Sequence, residues 1–233
     1  MSNRVAAVIP AAGLGTRMGG SLPKQYLMVG GVPLLVYSLR ILESVEAISE
    51  IIVAVPEADM DYCQEQIIRR FGIQKIGQVV AGGRRRQDSV RNALSAIAHS
   101  YEFVLIHDAA RPFVTTDIVN HALETAYRVG GAVVAIPMPD TVKRVDGTGL
   151  VQETLRRDLL WLIQTPQVFR LTWLLEAHRT AEENNLEVTD DASLVEQLGY
   201  PVSVVLGSST NIKLTRPEDL QLGEAILAHQ KRT

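Results

Sequence analysis

Cysteine is nearly absent from this sequence: Cys63 stands alone, which excludes an intrachain disulfide and a metal site assembled from thiolates, and leaves an inert helix-face residue as its reading. Aromatic residues make up only 5% of the chain, while Ala, Val, Ile and Leu are abundant. That balance suits buried strands and packed helices better than an aromatic-rich β-sandwich. No window approaches the ~20 consecutive apolar residues of a membrane span. The apolar start from Val5 to Gly15 is followed at once by Arg17 and Lys24, with no small-residue cleavage site, so a secretory signal is not expected. Charge of one sign is also lacking, since the formal net charge is -3, which argues against bulk nucleic-acid binding. A soluble cytoplasmic protein with neither nucleic acid nor membrane as partner is the expectation. Local basic clusters then call for a local anion.

What is present is alternation. Short apolar runs at Arg4–Ile9, Ile51–Val55, Gln78–Ala81, Phe103–His107 and Ala132–Pro137 read as strands. Amphipathic stretches at Pro33–Val45, Ala58–Phe71, Gln87–His99 and Thr116–Arg128 read as the helices between them. Repeated βα units with short connections predict a Rossmann-like α/β/α sandwich, a mainly parallel sheet covered on both faces, in one domain spanning 1–233. The pattern breaks after Pro137, where Thr141–Val145 and Leu150–Thr154 flank Asp146-Gly147-Thr148-Gly149 and predict a hairpin at about 139–157. Such a hairpin must project from the sheet, as an ordinary surface feature or as an arm that embraces a second subunit. Helices at Leu171–Glu183 and Asp190–Leu198, a strand at Val202–Leu206 and a closing helix opened by Thr215-Arg216-Pro217-Glu218-Asp219 complete the reading.

The first strand runs into Pro10-Ala11-Ala12-Gly13-Leu14-Gly15-Thr16-Arg17-Met18. Small residues there let backbone amides approach an anion closely at the carboxyl edge of a parallel sheet. A dinucleotide fingerprint wants Gly or Ala where Met18 stands, and a P-loop wants Gly-Lys-Ser/Thr, which is missing. The loop carries Arg17 instead, with Lys24 in Pro23-Lys24-Gln25-Tyr26 beyond it. Taken singly these are surface charges; beside a phosphate loop they suit nucleotidyl transfer, in which charge builds on the equatorial and leaving oxygens of the α-phosphate. Removing one such preorganised group commonly costs about 10²- to 10³-fold in rate.

These two segments resemble the 2-C-methyl-D-erythritol 4-phosphate cytidylyltransferases. The likeness continues through Gly82-Gly83 with Asp88-Ser89-Val90, His107-Asp108-Ala109-Ala110-Arg111-Pro112, Asp140-Thr141-Val142-Lys143, Arg157 to Trp161, Thr165-Pro166-Gln167 and Asn211-Ile212-Lys213-Leu214-Thr215-Arg216-Pro217. The resemblance implies transfer of CMP from CTP to a polyol phosphate, 2-C-methyl-D-erythritol 4-phosphate, with release of pyrophosphate in non-mevalonate isoprenoid biosynthesis. Arg17 and Lys24 are then transition-state stabilisers, and Arg157 and Lys213 position the acceptor phosphate. Gly13 and Gly15 shape the phosphate loop, Gly82 and Gly83 bring amides to the nucleotide, and Ala11, Ala12 and Ser89 surround the cytosine.

Asp108 is expected to reach ribose or a divalent cation, against the alternative of a turn-capping carboxylate, while His107 reads as a packed core residue. Arg111 and Thr165 join the acceptor pocket. Thr141, Lys143 and Arg157 lie on or just beyond the arm, and the resemblance implies that they complete that pocket in a neighbouring subunit of a homodimer. Mg²⁺ arrives mainly through the CTP phosphates, with no His/Cys cluster to suggest zinc. Among Arg84, Arg85 and Arg86, at least two read as solvated charges. A ribitol-5-phosphate cytidylyltransferase and a non-catalytic nucleotide-binding module are the competing readings, and the fused cyclodiphosphate synthase domain of bifunctional relatives is not expected.

Overall fold

The computed structural model describes residues 4–13 and 23–230. Strand β1, Val5–Pro10, is wholly apolar before its final proline and buried along its length, as a strand covered on both faces must be. Its side chains alternate: Val5, Ala7 and Ile9 face one core, Ala6 and Val8 the other. A short antiparallel pair, β2 (Met28–Val29) and β3 (Val32–Pro33), leads into helix α1, Leu34–Ser44. The spacing of Leu35, Leu39 and Leu42 puts an apolar stripe of α1 on the first core.

Strand β4, Ile48–Val55, follows, then a helical run of mixed winding: a 3₁₀ turn at Glu57–Asp59, α2 at Met60–Tyr62 and a π-helical stretch at Cys63–Arg69. Cys63 is fully buried there, and burial pushes its thiol up to about 12, with Asp59 adding to the shift, so it packs as a small apolar residue. Next come β5 (Ile76–Ala81), α3 (Arg86–Leu94), β6 (Phe103–Ile106), α4 (Thr116–Val129) and β7 (Gly131–Pro137). Helix α3 stops short of the expected His99. There Ala96 and Ile97 donate to Ala93 and Leu94, tightening the end into i→i−3 turns.

The arm forms as β8 (Lys143–Val145) and β9 (Val151–Thr154). After it the chain departs from expectation. Trp161–Arg170 is a ten-residue strand, β10, lying between β6 and β7 and antiparallel to both. The sheet order is β11-β7-β10-β6-β1-β4-β5, with β11 at Ser203–Leu206. Every strand but β10 runs the same way, so the sheet is mainly parallel with one reversed member. Helices α1 and α4 cover one face; α3, α5 (Leu171–Glu183) and α6 (Ala192–Gln197) cover the other. Helix α7, Pro217–Gln230, packs Leu220, Ile226 and Leu227 on a small third cluster around Phe113 and Leu214. Among the described residues no helix is long and apolar enough to cross a membrane.

Strand order reverses around β1: successive units build outward through β4 and β5, and the chain then returns to lay β6 on the other side. Loops diverge at such a point, leaving a crevice at the carboxyl ends of the strands.

Candidate active site

That crevice is a cavity of about 220 Å³ walled by the loop after β1, by Lys24, by residues 83–86 with Ser89, by Asp108 to Ala110 and by Lys213. The loop after β1 is held by Ala11, whose N–H donates to Ala54 O at 2.7 Å, and Lys24 lies against Gly13. Gly82 is required by crowding: a side chain there would meet the methyl of Ala12 and, at 2.9 Å, the Ser89 hydroxyl. Gly83 N–H donates to Ser89 Oγ at 3.0 Å, so the strand-to-helix turn and α3 are fastened by a residue of the cavity wall. Ala11, Ala12, Gly13, Gly83, Ser89 and Lys24 are thus brought together around one space, with Gly82 directly behind them. Gly15 and Arg17 lie outside the described residues.

Asp108 stands at the far wall. Burial alone would raise its pKa, but Arg86 and Lys213 override that and hold the carboxyl well below the usual range. Arg86 Nε donates to Oδ1 at 2.9 Å and Lys213 Nζ lies 2.7 Å from Oδ2, while Arg111 Nε is 3.9 Å away. Asp108 is therefore an ionised hub for three cations rather than the cap of a turn. Its own N–H donates to Thr165 Oγ1 at 3.0 Å.

Arg86, Asp108 and Lys213 also form one wall of a second, more open cavity of about 500 Å³, where Arg111, Thr165 and Gln167 face Thr189, Asp190 and Ser193. Arg111 is tethered through Nη1 to Asn211 O at 2.7 Å. Asn211 is itself buried, donating to Gln164 Oε1 and Thr165 O, and Leu214 N–H donates to Ala110 O. These bonds pin the segment that presents Lys213 to the loop after β6. His107 is fully buried with both ring nitrogens engaged, at 3.1 Å each, by Arg111 O and Thr165 Oγ1. Burial lowers its pKa to about 4, and the packed-core reading of this residue stands.

The three arm positions lie elsewhere. Thr141, Lys143 and Arg157 are exposed and line neither cavity of this chain. Lys143 is hydrogen-bonded across the hairpin to Thr154, and Arg157 Nη1 donates to Pro139 O at 3.0 Å, at the base of the arm. Of the four cations expected to act together, Lys24 and Lys213 meet at one cavity and Arg157 does not join them within the chain.

The arginine triplet divides. Arg84 is exposed, and Arg85 is half-exposed and paired with Asp88 and Glu187. Arg86 turns inward between Asp108 and Asp191, a placement that the triplet's composition does not signal.

Among the described residues no three His, Cys, Asp or Glu side chains group to hold a metal ion. Asp108 alone offers an ionised carboxylate at the cavity. One carboxylate beside a polyphosphate fits an ion that keeps most of its water and is carried by the nucleotide.

A charged wall shared by two cavities is what an enzyme needs to hold two anions side by side, and the class this fold and site define is an α/β nucleotidyltransferase. A sequence model of the 2-C-methyl-D-erythritol 4-phosphate cytidylyltransferases matches residues 5–229. The enzyme of that name from Syntrophus aciditrophicus is 46% identical over 231 residues, 99% of each chain. Its namesake from Geotalea uraniireducens is 47% identical over 226 residues, covering 96% of this chain and 97% of that one. In three dimensions the chain is similar to the 4-diphosphocytidyl-2C-methyl-D-erythritol synthase of Anaerococcus prevotii, with TM-score 0.88, 30% identity and 97% of each chain covered. It is also similar to the 2-C-methyl-D-erythritol 4-phosphate cytidylyltransferase of Thermus thermophilus, with TM-score 0.79, 38% identity, and 95% of this chain and 98% of that one covered. The chain belongs to the 2-C-methyl-D-erythritol 4-phosphate cytidylyltransferase family.

Proposed function

We propose that the two cavities divide the substrates of a cytidylyltransferase acting in non-mevalonate isoprenoid biosynthesis: CTP occupies the first and 2-C-methyl-D-erythritol 4-phosphate the second. An acceptor phosphate oxygen forms a bond to the α-phosphorus of CTP, the bond from that phosphorus to the bridging oxygen breaks, and pyrophosphate leaves. Cytosine lies against Ala11, Ala12, Gly82, Gly83 and Ser89, and the triphosphate follows Gly13 and Gly15 to Arg17 and Lys24. The acceptor phosphate sits on Lys213 with Arg111 and Thr165 beside it. Asp108, the carboxylate lining the first cavity, is the residue that would help hold a Mg²⁺ carried by the triphosphate, an ion that would supply charge neutralisation there.

No general base is demanded, because a phosphate monoester, with a second pKa of about 6, is already largely dianionic at neutral pH. His107 accords with that, since both its nitrogens are occupied inside the protein. What the reaction needs is orientation and shielding of two repelling anions. The observation that carries this reading is Lys213 seated on Asp108 where the two cavities join.

A homodimer completes the arrangement, with Thr141, Lys143 and Arg157 of each arm serving the other subunit's acceptor site. Support comes from apolar exposure along the arm and its flank: Val145 and Val151, paired across the hairpin, with Leu150 at its turn and Leu159 and Trp161 after it. Exposed apolar side chains gathered on a projecting hairpin favour an interaction surface there.

Pyrophosphate release from a panel of nucleoside triphosphates and acceptors tests the assignment. The expected preference is CTP with 2-C-methyl-D-erythritol 4-phosphate; a preference for ribitol 5-phosphate, or no release at all, overturns it. Within that assay Lys213→Ala lowers turnover by about 10²-fold or more while CTP binding is little changed. Equal losses in both would remove Lys213 from acceptor positioning.

A further inference from the structure

In the charged wall and behind it lies a set of groups to which the reaction described so far assigns no role. Arg86, in the first turn of α3, spans two buried carboxylates: Nε donates to Asp108 Oδ1 at 2.9 Å and Nη1 to Asp191 Oδ2 at 2.7 Å. Asp191 is 1% exposed and lines neither cavity, so it cannot touch either substrate. Its other oxygen, Oδ1, is 3.1 Å from Nε2 of the buried His178 on α5. A chain of contacts therefore runs from α5 through the start of α6 to α3 and on to the carboxyl end of β6.

Burying an ion pair is weak evidence of stabilisation, because desolvation offsets much of the attraction. Geometry is the better account. A guanidinium presents Nε and Nη donors in a rigid plane, and two carboxylates that grip two of them fix its orientation; an ammonium on a flexible stem has no such plane. Asp108 is in turn fixed at Oδ1 by Arg86 and through its N–H by Thr165, leaving Oδ2 to seat Lys213 at 2.7 Å. Lys213 has a four-carbon stem, and the carboxylate at its tip decides where its charge stands.

We propose that Arg86 is a positioning residue for the transfer step: the buried Asp191–His178 pair holds it, and it holds the Asp108 carboxylate on which Lys213 is seated. This rests on the reading of Lys213 as the group that receives the acceptor phosphate. Arg86 acts through Asp108, so its loss acts on turnover more than on nucleotide affinity.

The test compares kcat and KM for wild type, Arg86→Lys, Asp191→Asn and the double variant. Arg86→Lys keeps the charge but cannot span both carboxylates; Asp191→Asn keeps the shape and removes the charge at a residue outside both cavities. Each single change is expected to lower kcat by about tenfold or more with KM for CTP changed less than about threefold, and the double variant to be no worse than Arg86→Lys alone. Turnover of Arg86→Ala is expected to recover with guanidinium at sub-denaturing concentration and not with equal ammonium. Where Arg86→Lys does not fold, Asp191→Asn and His178→Gln carry the same comparison. Unchanged kcat with only a lowered melting temperature, additive losses in the double variant, or no selective recovery with guanidinium would each overturn the proposal. Failure of the substrate panel would overturn the assigned reaction, whereas this comparison concerns whatever turnover the wild type shows.

Discussion

At the scale of single residues, His107 and Asp108 are neighbours pulled in opposite protonation directions. Burial keeps the imidazole neutral, down to about 4, whereas Arg86 and Lys213 outweigh burial and keep the carboxylate charged. Their effects on stability fall in different pH windows. A histidine whose pKa is lowered on folding contributes stability that is present in full above its unfolded value of 6.5 and drains away as pH falls toward 4. A carboxylate whose pKa is lowered loses its contribution only below its unfolded 3.8. Urea unfolding should therefore show about 2 kcal/mol less stability at pH 5 than at pH 7, a slope that His107→Gln removes. An unaltered slope in that variant would assign the effect to another group.

At the scale of elements, β1 and the helices α4 and α5 were legible because their periodicities are unbroken, and Leu171–Glu183 was read to the residue. Strand β10 was not. Pro166 interrupts its run and Gln164 and Gln167 break its apolar pattern, both of which argue against a central strand. The sheet accommodates them with a register shift between Ile163 and Gln167, and the two glutamine side chains bond to Ser208 O and Asp190. Arg86 escaped for a related reason, since its partners lie 22 and 105 residues away and only folding brings them near. That Gly13, Gly82, Gly83 and Asp108 gather at the first cavity was legible because each ends a strand or opens a loop at its carboxyl edge.

Helix α4 ends at Gly130, which sits at φ +102 with the Trp173 ring where a side chain would go. Gly130→Ala should cost more than about 2 kcal/mol in urea unfolding, combining left-handed backbone strain with overpacking. Gly147→Ala in the arm turn, where nothing lies within 4 Å, should stay within about 0.5 kcal/mol of wild type. Similar costs at both positions would mean that the ring moves aside freely.

At the scale of the whole molecule, the proposed dimer would make the acceptor site of one subunit depend on the arm of another. Mixing folded Lys213→Ala protein with folded Arg157→Ala protein, each nearly inactive, should restore about a quarter of wild-type activity: random exchange makes half the dimers mixed, each with one intact site. No recovery after verified exchange would place Arg157 in its own chain's site.

Strand β10 also makes a mechanical link. Residues 161–163 pair with the end of β7 near the arm, and four residues on, the same strand carries Thr165 and Gln167 to the rim of the second cavity. Arm and rim are thus joined by one short run of backbone, interrupted by the register shift between Ile163 and Gln167, so a displacement of the arm has a direct covalent route to the rim. A compound lodged under the arm could slow the enzyme without ever meeting nucleotide or sugar.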